Sequence, residues 1–257
     1  MTTPDELASS ARPSFRDAFA LAKPVDGWLS EAQAERLWEA ARRVPAGGLL
    51  VEIGSFRGRS AIVMASALAD GARLVAIDPH AGGDRGPHEI AAEVERGEAD
   101  HEAFNANLRQ ARIGGRVEHV RLMSSDAHAA VNGTIDVLYV DGAHRFGPAR
   151  EDIVGWGERV RDGGTMLVHD SFASIGVTLA TLTSITFGGR WRYVGRTGSL
   201  AEYRRTRLGG HERAANTLRQ FAQLPWFVRN VIVKIALVTG IRPLARLMGH
   251  HGDDWPY

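Results

Sequence analysis

The chain has 257 residues, and its 31 basic and 30 acidic side chains leave a formal charge of only +1. At 44% hydrophobic and 24% charged it has the make-up of a soluble globular protein long enough to bury a substantial core. It contains no cysteine, which excludes disulfides, thiolate nucleophiles and cysteine zinc sites and suits a reducing compartment.

The opening "MTTPDELASSARPSF" has no basic stretch leading into an apolar one, so no secretory signal is visible and a cytoplasmic location is expected. Residues 1–28 read as irregular or loosely helical. Ser30 and Gln33 then have the spacing of a capping box, and Leu37, Trp38, Ala41 and Val44 share one helical face. After "PAGG" comes the apolar strand "LLVEIGS", then a helix over "RSAIVMASALADG" closed by Gly71. "RLVAID" is a strand ending at Asp78. Residues 80–88 form a Gly-rich loop flanked by His80 and His88, and a polar helix is expected from Glu89 to about Ala111.

"VEHVRL" and "IDVLYVD" are strands with a short helix between them, "PAREDIVGWGERV" a helix, and "TMLVHD" a further apolar strand. Strands alternating with helices predict an α/β fold with a doubly wound, mostly parallel sheet covered on both faces. "GVTLATLTSITF" reads as a helix. "RWRYVG" and "SLAEYRR", joined by a Gly-containing turn, read as an antiparallel edge. The expected organisation is an N-terminal helical segment (1–46), a Rossmann-like domain (47–208) and a basic helical extension (209–257).

That extension carries an uneven charge. Between Arg190 and His250 stand 12 Lys or Arg against two acids, Glu202 and Glu212. The apolar stretch 224–249 is interrupted by Arg229, Asn230 and Lys234 and is too short between charges to span a bilayer. An amphipathic helix is expected, placed against the core, a second subunit in a homo-oligomer, or a membrane surface. Nucleic acid is disfavoured because no recognised binding module is present.

In open parallel sheets ligands bind beyond the carboxyl ends of the strands. Those ends read Glu52 followed by "IGSFRGRS", Asp78, "SSD" (124–126), Asp141 with His144, and His169 with Asp170. Gly54 and Gly58 allow close backbone approach, and Ser60 opens the next helix. The pattern is not the G-x-G-x-x-G of nicotinamide dinucleotide binders. A negative charge at Glu52 would repel a pyrophosphate and attract a sulfonium.

Together these residues resemble class I S-adenosylmethionine-dependent methyltransferases. The resemblance implies a seven-stranded sheet, with Glu52, Gly54, Ser55 and Gly58 around the methionine part of S-adenosylmethionine and Ser60 also among the cofactor-binding residues. It places Asp78 on the ribose and Ser125 or Asp126 near the adenine. "DGAH" and "VHD" are similar to the metal-dependent sugar O-methyltransferases. That likeness implies Mg²⁺ or Mn²⁺ held by Asp141, His169 and Asp170, with His169 departing from the acid expected there. It also implies His144 as general base and a small-molecule hydroxyl, on a sugar or short oligosaccharide, as acceptor.

Overall fold

The computed structural model describes residues 12–83 and 91–251. The expectations for residues 1–11, for His88 and for the last six positions lie outside the described residues. Seven strands form one sheet: β1 (Leu49–Ile53), β2 (Arg73–Ile77), β3 (Val117–Val120), β4 (Ile135–Val140), β5 (Val160–Val168), β6 (Trp191–Thr197) and β7 (Leu200–Arg205). Their order is β3-β2-β1-β4-β5-β7-β6. The first five are parallel, and β7 pairs antiparallel with both β5 and β6. The α/β class and the antiparallel edge expected from the sequence are both present.

Side chains alternate across the buried strands. In β4, Val137 and Tyr139 join Leu50 and Leu167 under one helical layer, while Leu138 and Val140 join Val51 and Val168 under the other. The first layer is α1 (Phe15–Ala22), α2 (Glu31–Arg42), α3 (Arg59–Ala67) and α4 (Val94–Gln110). Helix α1 is better formed than its sequence suggested, because Ser14 and Asp17 close a reciprocal capping box; Ser30 and Gln33 do the same for α2. The second layer contains α5 (Phe146–Glu151) and α6 (Ile175–Thr181). Fully buried side chains such as Leu50, Leu74 and Ile62 each contribute about 1.5–3 kcal/mol of transfer free energy.

Two helices expected to be continuous change pitch. After α5 the chain takes a wide π turn at Asp152–Trp156, and after α6 another at Leu182–Thr186. The extension forms α7 (Gly210–Phe221), α8 (Leu224–Val238) and α9 (Arg242–Leu247). Trp226 and Phe227 at the start of α8 pack on the second core layer.

Candidate active site

Strand order reverses between β1, which runs on to β2 and β3, and β4, which runs on to β5. A ligand crevice is expected at that switch point. A cavity of about 390 Å³ lies there, walled by the ends of β1, β2, β4 and β5 and by the N-terminal segment around Trp28. That volume suits a small-molecule site. In-register pairing of β4 with β5 brings Val140 beside Val168, so Asp141 and His169 leave the sheet side by side.

The glycine loop turns tightly under the end of β4. Gly54 has φ +83°, and a Cβ there would lie 2.2 Å from the Asp141 carbonyl oxygen, so no other residue fits. Asp78 organises this loop. Its Oδ2 accepts from the backbone N–H of Ser55 (3.0 Å) and Phe56 (2.8 Å), and its Oδ1 accepts from His80 N–H (2.8 Å). Phe56 and His80, both lining the cavity, hold positive φ values of 45° and 47°. Such strain in non-glycine residues concentrates at functional sites. Arg57 ties the loop to its cover by pairing with Asp26 and, at 2.9 Å, with Asp100 of α4.

Expected cofactor residues divide into two groups. Gly54, Ser55, Ser60 and Asp78 line the cavity. Ser55 is buried and its Oγ has no partner, a vacancy that a polar ligand group fits. Glu52 and Gly58 stand behind the wall rather than in it. Glu52 points from β1 toward α3, where Ser60 Oγ donates to its Oε1. Burial, despite that bond, and the charges of Asp141 and Asp78 push its carboxyl up to about 8. Glu52 is thus a neutral buried acid near pH 7, not the exposed charge its sequence position suggested. Gly58 packs against the Phe104 ring.

Ser125 and Asp126 are exposed and lie outside the cavity; Met123 and Ser124 form that wall instead. The π turn following α5 adds Asp152, which sequence reasoning passed over because a regular helix was expected there. Burial pushes Asp152 up to about 6, against a hydrogen bond from Ser124 that lowers it. Asp26 and Trp28 were also missed, since "VDGW" carries no periodic signal.

The proposed chemical residues do converge. His144 Nε2 lies 2.8 Å from Asp170 Oδ2, and His169 Nδ1 lies 3.0 Å from Asp141 Oδ1. Tyr139 OH donates to Asp141 Oδ2 at 2.7 Å. Asp170 holds φ +55°, and its carbonyl accepts from the backbone N–H of Ala173 and Ser174, which fixes the turn. Burial disfavours charge on His169, but Asp141 and Asp170 outweigh it and lift the imidazole to about 9. Burial works against the charged form of His144 too; the hydrogen bond and charge of Asp170 prevail and hold it above its ordinary value. Asp170 is buried, yet His169 and His144 keep it ionised far below the usual carboxylate range.

Most donor atoms of the residues expected to ligate a divalent cation are engaged with one another in this arrangement; Asp170 Oδ1 and His169 Nε2 are buried without a hydrogen-bond partner. Both oxygens of Asp141 accept from Tyr139 and His169, and Asp170 Oδ2 is engaged by His144. The remaining oxygen, Asp170 Oδ1, faces His169 Nδ1 at 3.8 Å. That nitrogen therefore carries a proton between two carboxylates rather than a lone pair for a metal. Among the described residues no group of three or more His, Asp or Glu side chains is placed to hold a metal ion.

A family model described as a methyltransferase domain matches residues 51–171. Solved structures share the fold at low identity. TomG, an O-methyltransferase from Streptomyces achromogenes involved in tomaymycin synthesis and solved with S-adenosylmethionine, is 20% identical, with 79% of this chain and 93% of that one covered and a TM-score of 0.54. An O-methyltransferase from Bacillus cereus, in complex with SAH, is 15% identical over 76% of this chain and 92% of that one, TM-score 0.55. The cofactor-bound Rv0187 from MTB is 18% identical over 80% and 94%, TM-score 0.55. Structural likeness at these identities establishes the architecture. The family model adds sequence agreement over residues 51–171, from β1 through the turn that carries Asp170, and in fold and in that segment the chain resembles S-adenosylmethionine-dependent methyltransferases.

Proposed function

We propose that this protein methylates a hydroxyl of a small-molecule acceptor, with His144 as the general base. One observation supports the reading above others: the 2.8 Å pair between His144 Nε2 and the buried Asp170 carboxylate, at the wall of the cavity. If Nε2–H donates to Asp170, the lone pair is on Nδ1, and an acidic partner makes that nitrogen more basic. His144 is 38% exposed at its side chain, so an acceptor can reach it, whereas Asp170 cannot be reached from solvent. S-Adenosylmethionine, when bound, supplies an electrophilic methyl on a sulfonium. Nδ1 takes the hydroxyl proton as the oxygen engages that methyl, and Asp170 stabilises the imidazolium that results.

Ser55 Oγ and the Asp78-braced loop are the groups suited to the amino-acid end of the cofactor. The cation expected from the sequence does not fit the side chains as they are packed, and no step is assigned to one. His169 carries positive charge at that position, between Asp141 and Asp170. For the acceptor we favour a saccharide. Trp28 is 54% exposed at the rim, 5.4 Å from the Phe56 ring and close in sequence to Asp26. An indole face accepts the C–H face of a pyranose while a neighbouring carboxylate takes its hydroxyls. The test is transfer of a labelled methyl group to a panel of monosaccharides, short oligosaccharides, catechols and primary amines. Labelled saccharide ethers are expected; labelling of catechols alone would overturn the acceptor class, and labelling of amines alone would overturn hydroxyl methylation.

A further inference from the structure

The outer surface of the extension is apolar where a solvated helix would be polar. Val228, Ile235 and Val238 are 52%, 55% and 65% exposed on α8, and their spacing of seven and three puts them on one face. Leu218 (68%) and Phe221 continue the surface onto α7. Phe221 meets Phe187, itself 59% exposed, with ring centroids 5.7 Å apart, so the surface runs on to the segment after α6. By length and composition alone Gly210–Val238 is apolar enough to cross a membrane, with 17% of its most apolar window buried. Its inner face is nevertheless fixed to the domain. Asn230 donates to the Phe172 carbonyl at 3.3 Å and Lys234 to that of Ala173 at 3.0 Å, while Val233 and Ala236 are fully buried. The helix lies along the protein, and among the described residues one long side is left uncovered.

Charge decides what covers it. No acid occurs between Glu212 and position 252, nor between Asp170 and Glu202. Arg213 and Arg219 on α7 and Arg246 on α9 are exposed. A two-fold contact between copies sets a patch against itself, and these arginines would then face one another with Glu212, already paired with Arg192, as the one carboxylate of α7 and α8. Anionic headgroups supply the missing charge, and acyl chains take the apolar stripe of a helix about 22 Å long.

We propose that the outer face of α7 and α8, with Phe187, docks this protein onto an anionic lipid surface. The test is co-sedimentation of the full chain with phosphatidylcholine vesicles, with and without phosphatidylglycerol, over a range of salt. Binding is expected only with phosphatidylglycerol and should weaken as salt rises. Arg219→Glu with Arg246→Glu should lower partitioning by on the order of fivefold per residue. Ile235→Asp with Val238→Asp should lower it at least as far with an unchanged unfolding transition, since both side chains are already exposed. If either variant fails to fold, the lipid and salt dependence of the unaltered chain decides alone. Absence of binding to phosphatidylglycerol vesicles at low salt overturns the proposal. So does a concentration-dependent dimer that Ile235→Asp abolishes, which would assign the face to a second copy.

Discussion

His169 Nδ1 lies 3.0 Å from Asp141 Oδ1, an acid–imidazole pair that joins the ends of two neighbouring parallel strands. A divalent cation bound there would sit among carboxylates; the protonated ring occupies the same electrostatic position. His169→Gln is therefore expected to cost at most about 3–5 kcal/mol near neutral pH, because buried Asp170, which keeps His144, and half-buried Asp141 lose a counter-charge. The folded-state value of about 9 exceeds the unfolded one of 6.5. The stabilisation is thus complete below about 6.5 and is lost as pH rises through 9. Unfolding measured across that window should show the two proteins converging at high pH.

A second consequence concerns metal. With three of the four carboxylate oxygens of Asp141 and Asp170 engaged by Tyr139, His169 and His144, methyl transfer is expected to continue in the presence of a chelator. A rate that collapses in chelator and returns with Mg²⁺ would show that these side chains rearrange around a cation.

Asp170 raises His144, so it also sets where the base becomes active. Asp170→Asn removes both the charge and the strong acceptor. The acidic limb of the pH–rate profile, which reports loss of the proton from His144, should move to lower pH while the plateau rate falls. An unmoved limb would place the titrating group elsewhere.

Glu52 allows a stability test away from the chemistry. Burial raises it from 4.5 to about 8, so the folded chain holds a proton that the unfolded chain releases between those values. Stability therefore falls as pH rises across that window. Glu52→Gln keeps the shape and removes this titration, so between about 4.5 and 8 its unfolding free energy should decline less steeply than that of the unaltered chain.

Much of this was legible in the chain because the signals were strong and local. Apolar runs such as "VLYV" ending in Asp141, and "TMLV" ending in His169 and Asp170, marked both the parallel strands and the rim on which ligands bind. The pairings within that rim were not legible. Which imidazole meets which acid depends on register between β4 and β5 and on the left-handed turn at Asp170, and neither leaves a sequence pattern. Glu52 was read as a charge because its neighbours in sequence are a loop; burial from α3 makes it neutral. Asp152 was passed over because π turns have no periodic signature, and Ser125 and Asp126, expected near the adenine, stand one and two residues past Ser124, which lines the cavity.

The role given to His144 is the claim on which the functional reading turns. The measurement is the single-turnover rate of labelled methyl transfer to the best acceptor for the unaltered chain and for His144→Ala, with S-adenosylmethionine affinity taken by calorimetry on both. A loss of about 10²–10⁴ in rate is expected, with cofactor affinity unchanged because His144 pairs with Asp170 while the glycine loop is braced by Asp78. Equal rates in the two proteins would contradict the account.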